Sequence, residues 1–180
     1  IRDAIYVAVG TGIGAGIMTD GKVLTGANNI AGAIGWLALD GEFREEYEVY
    51  GNFEYHASGD GLARFAKDLL HIDNPNTPLS VESGAEDILK YYEQGDSLAS
   101  QVVNNAIRYW GRAVANLISV FNPEVIIFGG GLFGPASKFI PEISKEAKKW
   151  AQPIAFRRCS ILPSALGNDA LLFGAAKLAK

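Results

Sequence analysis

The sequence predicts an α/β protein whose mixed sheet is flanked by helices. The first quarter of the chain has short apolar runs separated by glycine, which is typical of an antiparallel β-meander. The second half alternates apolar runs with segments of helical periodicity, and this order predicts right-handed crossovers and a parallel sheet. With 180 residues and 48% hydrophobic content, the chain forms one domain or one lobe of a larger protein.

The opening strands are predicted from "AIYVAVG" and "GAGIMTDGKVLTG". The first run, residues 4–10, is apolar and ends in glycine, as a buried strand does. In the second, Asp20-Gly21 is suited to the positive dihedrals of a tight hairpin turn between two brief strands. A glycine-rich loop and the short segment "WLALDG" follow.

Three helices are predicted in the middle of the chain. "SGDGLARFAKDLL" places apolar residues at helical spacing after the plausible caps Ser58 and Asp60, and "AEDILKYYEQGD" is a short helix closed by Gly95. A polar, turn-rich surface loop separates these two. The long core helix runs over residues 97–121 and is ended by Asn122-Pro123.

The remainder supplies two strands and two helices. "EVIIFGGG" and "CSILPS" are the strands, and "SKFIPEISKEAKKWA" is a helix in which Pro141 lies in the first turns or causes a kink. "NDALLFGAAKLA" is predicted to be the closing helix.

Composition excludes several classes of function. A net charge of -4 and a pI near 5.2, without a long Lys/Arg run, argue against nucleic acid as a partner. A single cysteine, Cys159, excludes an internal disulfide and a multi-cysteine zinc site. No apolar run approaches the roughly 20 residues of a membrane span, and no signal-peptide pattern is present. We expect a cytoplasmic protein without membrane contact.

The stretch "VGTGIGAG" places Gly10, Gly12, Gly14 and Gly16 in alternation between the first two strands. Glycines leave backbone amides open to a bulky anion, and the hydroxyl of Thr11 adds a donor for phosphate or for a metal-bound water. The dinucleotide fingerprint requires a helix after the turn, and the P-loop requires Lys-Ser/Thr; the stretch has neither. A hairpin that needs glycine only for its own turns explains one or two of the four. A phosphate cradle is the favoured interpretation.

At this point the chain resembles the ROK sugar kinases (repressor, open reading frame, kinase), members of the actin-like, ribonuclease-H-like ATPase superfamily. The resemblance covers nearly all 180 residues and is carried by "VAVGTGIGAGIMTDGKVLTGANNIAG", "SGDGLARFA", "NPEVIIFGGGLFGP" and "ALGNDALLFGAAKLA". It implies a ribonuclease-H-like lobe that binds ATP with Mg²⁺. The residues implied for the phosphates are Gly10, Thr11, Gly12 and Gly14, and those for the adenosine are Gly129, Gly130 and Gly131.

The adenosine assignment has independent support, because a triglycine at the carboxyl end of a buried strand lies where open α/β sheets bind ligands. A glycine-rich strand-to-helix turn without ligand is the alternative. Asp169 caps the closing helix, either near the nucleotide or in solvent.

The chain departs from the family pattern in "NNIAGAIGW". The family's sugar-binding glutamate and its histidine, which also ligates a structural zinc, correspond here to Ala33 and Trp36, and the family's three cysteines are absent from "EFREEYEVYGNF". With four ligands missing, we expect no metal site and no zinc. Trp36 is interpreted as filling the volume of the lost metal loop, with stacking on a sugar as the alternative.

Three residues are implied by the resemblance for sugar binding: Asn28, Asn29 and Glu54. Glu54 would accept hydrogen bonds from sugar hydroxyls, or would simply stabilise a helix N-terminus. The asparagines would line the sugar pocket, or would only form a turn. His56 is assigned a structural role, with substrate contact as the alternative, and His71 is expected to be solvated.

The sequence is therefore interpreted as the carboxyl-terminal, ATP-binding lobe of a ROK-type kinase that phosphorylates a hexose or amino sugar. In the family the catalytic base lies in an amino-terminal lobe, so no catalytic residue is assigned here, and Asp3 is out of register with that base. The 180 residues alone are expected to be inactive. The resemblance suggests a homodimer. The alternative is a catalytically weak relative that acts as a sugar or nucleotide sensor or as a transcriptional regulator.

Overall fold

A computed structural model describes residues 1–73, 76–170 and 174. Within them lie five strands: β1 (Ala4–Val9), β2 (Ile13–Thr19), β3 (Lys22–Val23), β4 (Val125–Gly129) and β5 (Ser160–Pro163). They form one sheet in the order β3-β2-β1-β4-β5. β1, β2 and β3 pair antiparallel, whereas β4 lies parallel to both β1 and β5. The mixed sheet expected from the sequence is confirmed.

The helices in the described ranges are α1 (Tyr47–Tyr50), α2 (Asn52–Ala57), α3 (Gly59–Asp73), α4 (Ala85–Glu93), α5 (Ser97–Phe121), α6 (Ile140–Ala147) and α7 (Pro153–Arg158). Short 3-10 segments span Ile34–Trp36, Gly131–Phe133, Pro135–Phe139 and Gly167–Asp169. The predicted closing helix, residues 168–179, lies mostly outside the described residues, so the capping role of Asp169 stays a prediction.

The hairpin turn and the helix ends follow the sequence closely. Asp20 and Gly21 have φ of 50° and 75°, as expected for the tight turn between β2 and β3. The Ser58 hydroxyl accepts a hydrogen bond from the Gly61 amide at 3.0 Å, so Ser58 is the cap of α3. Asn122 ends α5 in the left-handed conformation, with φ of 47°. Pro141 lies in the first turn of α6, where a proline leaves no helical hydrogen bond unmade.

Helix α5 forms the centre of the core, since its buried face belongs to the same hydrophobic cluster as the buried side chains of β1. Ile5, Val7 and Val9 of β1 are buried, as is Trp110 of α5, whose indole nitrogen donates to the Ala57 carbonyl at 2.9 Å. The alternating burial of β1 follows from its period of two, which sends every second side chain to the helical layer. The sheet thereby holds the carboxyl ends of β1 and β4 side by side.

Candidate nucleotide cleft and neighbouring sites

The glycine turn, residues 10–12, connects β1 to β2 at the carboxyl end of β1. Val9 pairs with Ile13, so only three residues complete the reversal. The Gly10 amide donates to the Gly12 carbonyl at 3.0 Å, which closes the turn on itself. Within the described residues, the amides of Thr11 and Gly12 donate no hydrogen bond. These two amides, together with the exposed Thr11 hydroxyl, are the donors that the turn offers to an incoming anion.

The glycine turn opens onto a cleft of about 450 Å³, called here the glycine cleft. One wall is the N-terminus of α3 and another is the N-terminus of α4, and both helix ends carry partial positive charge. The cleft is lined by Gly10, Thr11, Gly59, Asp60, Ala63, Gly84, Ala85, Glu86, Leu89, Gly131, Leu132 and Pro135. A polar, amide-rich end and an apolar end therefore share one cavity.

Of the four residues implied for phosphate binding, two line the glycine cleft and two do not. Gly10 and Thr11 are in its wall. Gly12 faces Glu54, since a Cβ built on Gly12 would lie 2.8 Å from the Glu54 Oε2 atom. Gly14 lies on the other side, 3.9 Å from the Gly32 carbonyl oxygen by the same construction. The Cβ positions of these glycines therefore face different surroundings, and the assignment of Gly12 and Gly14 to phosphate binding stays a prediction.

The three glycines after β4 also differ in what surrounds them. A Cβ on Gly129 would lie 2.0 Å from the Tyr6 hydroxyl, and one on Gly130 would lie 2.5 Å from the Val9 carbonyl oxygen. These two positions require glycine for packing against β1. Gly131 has open space around its Cβ position and lines the glycine cleft. The parallel pairing of β1 with β4 places it beside Gly10.

Sequence reasoning missed the contribution of the two helix starts. Gly59 is fixed beside the turn because its amide donates to the Gly10 carbonyl at 2.7 Å. Gly84 and Ala85 begin α4 on the opposite wall, where the Asp87 carboxylate accepts from the Gly84 amide at 3.3 Å. The Ser58 cap and the predicted helix "AEDILKYYEQGD" gave the two helix starts from the sequence, but only the fold showed that both face the glycine cleft.

Glu54 lies within α2, a short helix that the sequence did not predict. Its Oε2 atom accepts a hydrogen bond from the Ile13 amide at 2.7 Å, and the pair is partly buried. A Cβ on Gly35 would lie 3.0 Å from the Glu54 Cβ atom, so glycines flank this side chain on both sides. The carboxylate is thus directed at the glycine turn.

Asn28 and Asn29 are exposed in the loop that follows β3. Asn29 has φ of 58° and donates its amide to the Gly26 carbonyl at 3.4 Å, which is turn geometry. The loop returns to the sheet at Gly32, whose carbonyl accepts from the Ala15 amide at 2.7 Å. The loop is therefore attached to β2, and the role of the two asparagines in sugar binding stays a prediction.

Aromatic side chains cluster around the segment 42–53, to which the resemblance assigned the zinc ligands. The aromatic cluster comprises Phe43, Tyr47, Tyr50, Tyr55, His56 and Tyr109. The His56 and Tyr109 rings stack at 4.5 Å, and the Tyr47 hydroxyl lies 2.7 Å from His56 Nε2. Burial, together with the nearby Arg44 and Arg108 cations, lowers the pKa of His56 to about 4. Burial, reinforced by Asp40, raises the pKa of Tyr109 to about 12.

Trp36 does not fill an interior volume, because it is 55% exposed. That interpretation of Trp36 is wrong: the aromatic cluster occupies the neighbouring space instead. Ala33 is exposed as well. Over the described ranges, no three His, Cys, Asp or Glu side chains lie close enough together to hold a metal ion.

Asp3 lies at the amino end of β1, whereas the glycine turn lies at its carboxyl end. Six strand residues separate the two ends, a distance of roughly 20 Å at about 3.3 Å per residue. The Asp3 carboxylate instead accepts from the Asp20 amide at 2.9 Å and supports the hairpin. Among residues 1–73, 76–170 and 174, no helix is long and apolar enough to cross a membrane.

The mixed sheet, the glycine turn and the flanking helices define a lobe of the ribonuclease-H-like, actin-like ATPase fold. The chain belongs to the ROK family, whose sequence model matches residues 1–180. It is 29% identical over 187 aligned positions to a glucokinase of Halalkalibacterium halodurans, an alignment that covers 99% of this chain and 56% of the relative.

Two further matches extend this picture. A crystal structure of a ROK family glucokinase from Streptomyces griseus, in complex with glucose and AMPPNP, superposes with a TM-score of 0.80 at 27% identity, covering 98% of this chain and 60% of that one. The DNA-binding transcriptional repressor Mlc of Escherichia coli is 28% identical over 184 positions, which cover 97% of this chain and 43% of the repressor. The chain thus spans little more than half the length of these kinases, and less of the repressor.

Proposed function

We propose that this chain is the nucleotide-binding lobe of an ATP-dependent sugar kinase that transfers the γ-phosphoryl group to a hydroxyl of a hexose or amino sugar. The observation that carries the proposal is the glycine cleft, where Gly10 and Thr11 of the glycine turn, two helix N-termini and Gly131 face one cavity. Free amides and helix N-termini are suited to a polyphosphate, and the apolar end near Leu89 and Leu132 is suited to a base. The kinase relatives support this assignment.

In this proposal the chain supplies positioning and charge stabilisation. The Thr11 and Gly12 amides and the Thr11 hydroxyl hold the phosphates in the orientation required for in-line transfer. Mg²⁺ would accompany the nucleotide, and carboxylate oxygens of Asp60 and Glu86 in the cleft wall are of the donor type that this ion prefers. The ion would neutralise charge on the transferring group.

On the sugar side, Glu54 and the loop containing Asn28 and Asn29 are proposed to orient the acceptor. The base that takes the hydroxyl proton is proposed to come from an amino-terminal lobe, since Asp3 lies at the wrong end of β1. The 180 residues alone would then bind nucleotide without phosphorylating a sugar. A homodimer in the cytoplasm is part of the same proposal.

The experiment is an ATP-consumption assay on the full-length protein with a panel of hexoses and amino sugars, paired with calorimetric titration of AMPPNP. Saturable turnover with at least one sugar, together with AMPPNP binding, is the expected result. The variant for comparison is Thr11→Val, which removes the hydroxyl at the cleft, keeps the volume of the side chain and is expected to weaken AMPPNP binding. Absence of AMPPNP binding by the wild-type protein would contradict the proposal.

A second function, that of a sugar- or nucleotide-responsive regulator, is favoured by two observations. Almost the whole length of this chain is similar to part of the repressor Mlc. In addition, Ala33 has no hydrogen-bonding side chain, and each lost hydrogen bond to a sugar weakens substrate orientation by about 1–3 kcal/mol. Retained AMPPNP binding without turnover on any sugar would favour this function over catalysis.

A further inference from the structure

The glycine turn is held at both ends by one short segment, residues 54–59. At one end the Ile13 amide donates to Glu54 Oε2 at 2.7 Å. At the other end the Gly59 amide donates to the Gly10 carbonyl at 2.7 Å. Glu54 belongs to α2 and Gly59 begins α3. The junction of these two helices therefore holds the turn in place with one hydrogen bond on each side.

The surroundings of Glu54 are shaped to admit its carboxylate. A Cβ on Gly12 would lie 2.8 Å from Oε2, and one on Gly35 would lie 3.0 Å from the Glu54 Cβ atom and 3.1 Å from Oε2. A Cβ on Gly12 would come closer to Oε2 than real Cβ atoms do, so a side chain there would displace the Glu54 carboxylate. A Cβ on Gly35 would lie 2.9 Å from the Ile13 carbonyl oxygen, so a side chain there would displace Ile13 or Glu54. The contact between Glu54 and Ile13 thus accounts for both glycines, neither of which has a positive φ that would itself require glycine.

The negative charge of Glu54 lies next to the glycine turn, where it is unfavourable for the binding of an anion. A carboxylate next to a turn that receives phosphates repels them, so Glu54 does not bind the anion. A charged acceptor does, however, form a stronger hydrogen bond with a backbone amide than a neutral one. Of the two carboxylate oxygens, Oε2 is engaged by Ile13, and within the described residues Oε1 accepts no hydrogen bond and remains available to another donor.

We infer that Glu54 is a positioning residue for the nucleotide as well as a sugar ligand: Oε2 fixes the glycine turn through Ile13, and Oε1 receives a sugar hydroxyl. The inference rests on the proposed function, in which the turn meets the phosphates. One carboxylate then joins the two substrate sites, so a sugar on Oε1 acts on the group that shapes the phosphate turn. Sugar binding and nucleotide binding are coupled through this side chain.

The test compares Glu54→Ala and Glu54→Gln in the full-length protein, with Glu142→Ala, which removes an exposed carboxylate of α6, as the matched control. The dissociation constant of AMPPNP is measured without sugar, and the Ile13 amide is followed by NMR in protein labelled with ¹⁵N-isoleucine. Sugar KM and kcat are measured with ATP saturating.

Glu54→Ala is expected to weaken AMPPNP binding about tenfold and to move the Ile13 amide resonance upfield, with faster hydrogen exchange, because the acceptor is gone. Glu54→Gln keeps an oxygen at the same place. It should hold AMPPNP affinity within about twofold of wild type and still raise the sugar KM about tenfold, since the charge-assisted bond to the hydroxyl is lost. Glu142→Ala should change neither quantity.

Unchanged sugar-free AMPPNP affinity in Glu54→Ala, with an unchanged Ile13 resonance, would overturn the inference and leave Glu54 as a sugar ligand alone. A merely structural role would lower Tm without changing the AMPPNP affinity of the folded protein. If Glu54→Ala does not fold, Glu54→Gln decides: an affinity loss of tenfold or more would contradict the acceptor role. Absence of AMPPNP binding by the wild type would instead refute the proposed function, and the Ile13 resonance would still report on the anchor.

Discussion

The glycine cleft and the aromatic cluster share no lining residue and are built by different means. The cleft is made of backbone: amides, helix ends and positions where a Cβ does not fit. The aromatic cluster is made of side chains that stack and share hydrogen bonds around His56. A substitution in the cleft should therefore change ligand binding through shape and access. One in the cluster should change stability through packing and through the titration of His56.

The largest effect on this comparison is expected from Gly130→Ala. Gly130 has φ of 90°, and a Cβ there would lie 2.5 Å from the Val9 carbonyl oxygen, so β1 and β4 must move apart. We expect a loss of about 3 kcal/mol in the free energy of unfolding, measured by urea denaturation. The matched variant Gly131→Ala has free space for its Cβ, which points to the cleft. It should keep its stability and weaken AMPPNP binding; equal stability of the two variants would refute this division of roles.

Tyr109→Leu, a change in the aromatic cluster, is expected to lower stability without weakening AMPPNP binding. Tyr109 is 3% exposed and stacks on His56, so loss of its ring should reduce the free energy of unfolding by about 2 kcal/mol. AMPPNP affinity should stay within about twofold of wild type, because the ring does not line the glycine cleft. Tyr109→Phe keeps the stacking and should cost less than about 1 kcal/mol. A strong loss of AMPPNP affinity in the folded Leu variant would show that the two regions are coupled.

The aromatic cluster should also make stability depend on pH. The folded-state pKa of His56 is about 4, below the usual value of 6.5, so the unfolded chain takes up this proton first as the pH falls. Stability is therefore fully present above about pH 6.5 and is lost as the pH drops towards 4. Allowing for partial exposure, the loss amounts to about 1–2 kcal/mol.

The measurement is urea denaturation at several pH values between 4 and 7.5. His56→Gln should flatten the dependence, and His71→Gln, which changes an exposed histidine at the end of α3, should leave it as in wild type. An identical slope in the His56 variant and the wild type would mean that His56 does not titrate in this way.

The smallest effect is expected from Thr11→Val in the cleft. Thr11 is exposed, so the unfolding free energy should change by less than about 0.5 kcal/mol. Loss of one hydroxyl donor should weaken AMPPNP binding about fivefold, equivalent to about 1 kcal/mol, as measured by calorimetry. Thr11→Ser retains the donor and should bind AMPPNP as the wild type does. If the Val and Ser variants bind equally well, the hydroxyl does not contact the nucleotide.

Prediction from sequence succeeded where one periodic signal governs an element. The long helix α5 was expected over residues 97–121 and has these bounds, because its apolar face repeats at helical spacing and Asn122-Pro123 ends it. The segment that contains α1 and α2 has no such periodicity. These helices form because aromatic side chains such as Phe53 and Tyr55 are buried against their neighbours in the fold.

By itself, the sequence determined the order of the five described strands and of the helices α3 to α6, the hairpin at Asp20-Gly21 and the position of the glycine-rich turn, since these depend on neighbours close in the chain. Only the tertiary structure decided which glycines face the cleft, which accommodate Tyr6, Val9 or Glu54, and which helix N-termini complete the cavity. The physical reason is that a glycine has no side chain to show its purpose. What its missing Cβ makes room for is set by groups far away in sequence, as Glu54 is from Gly12 and Ile13.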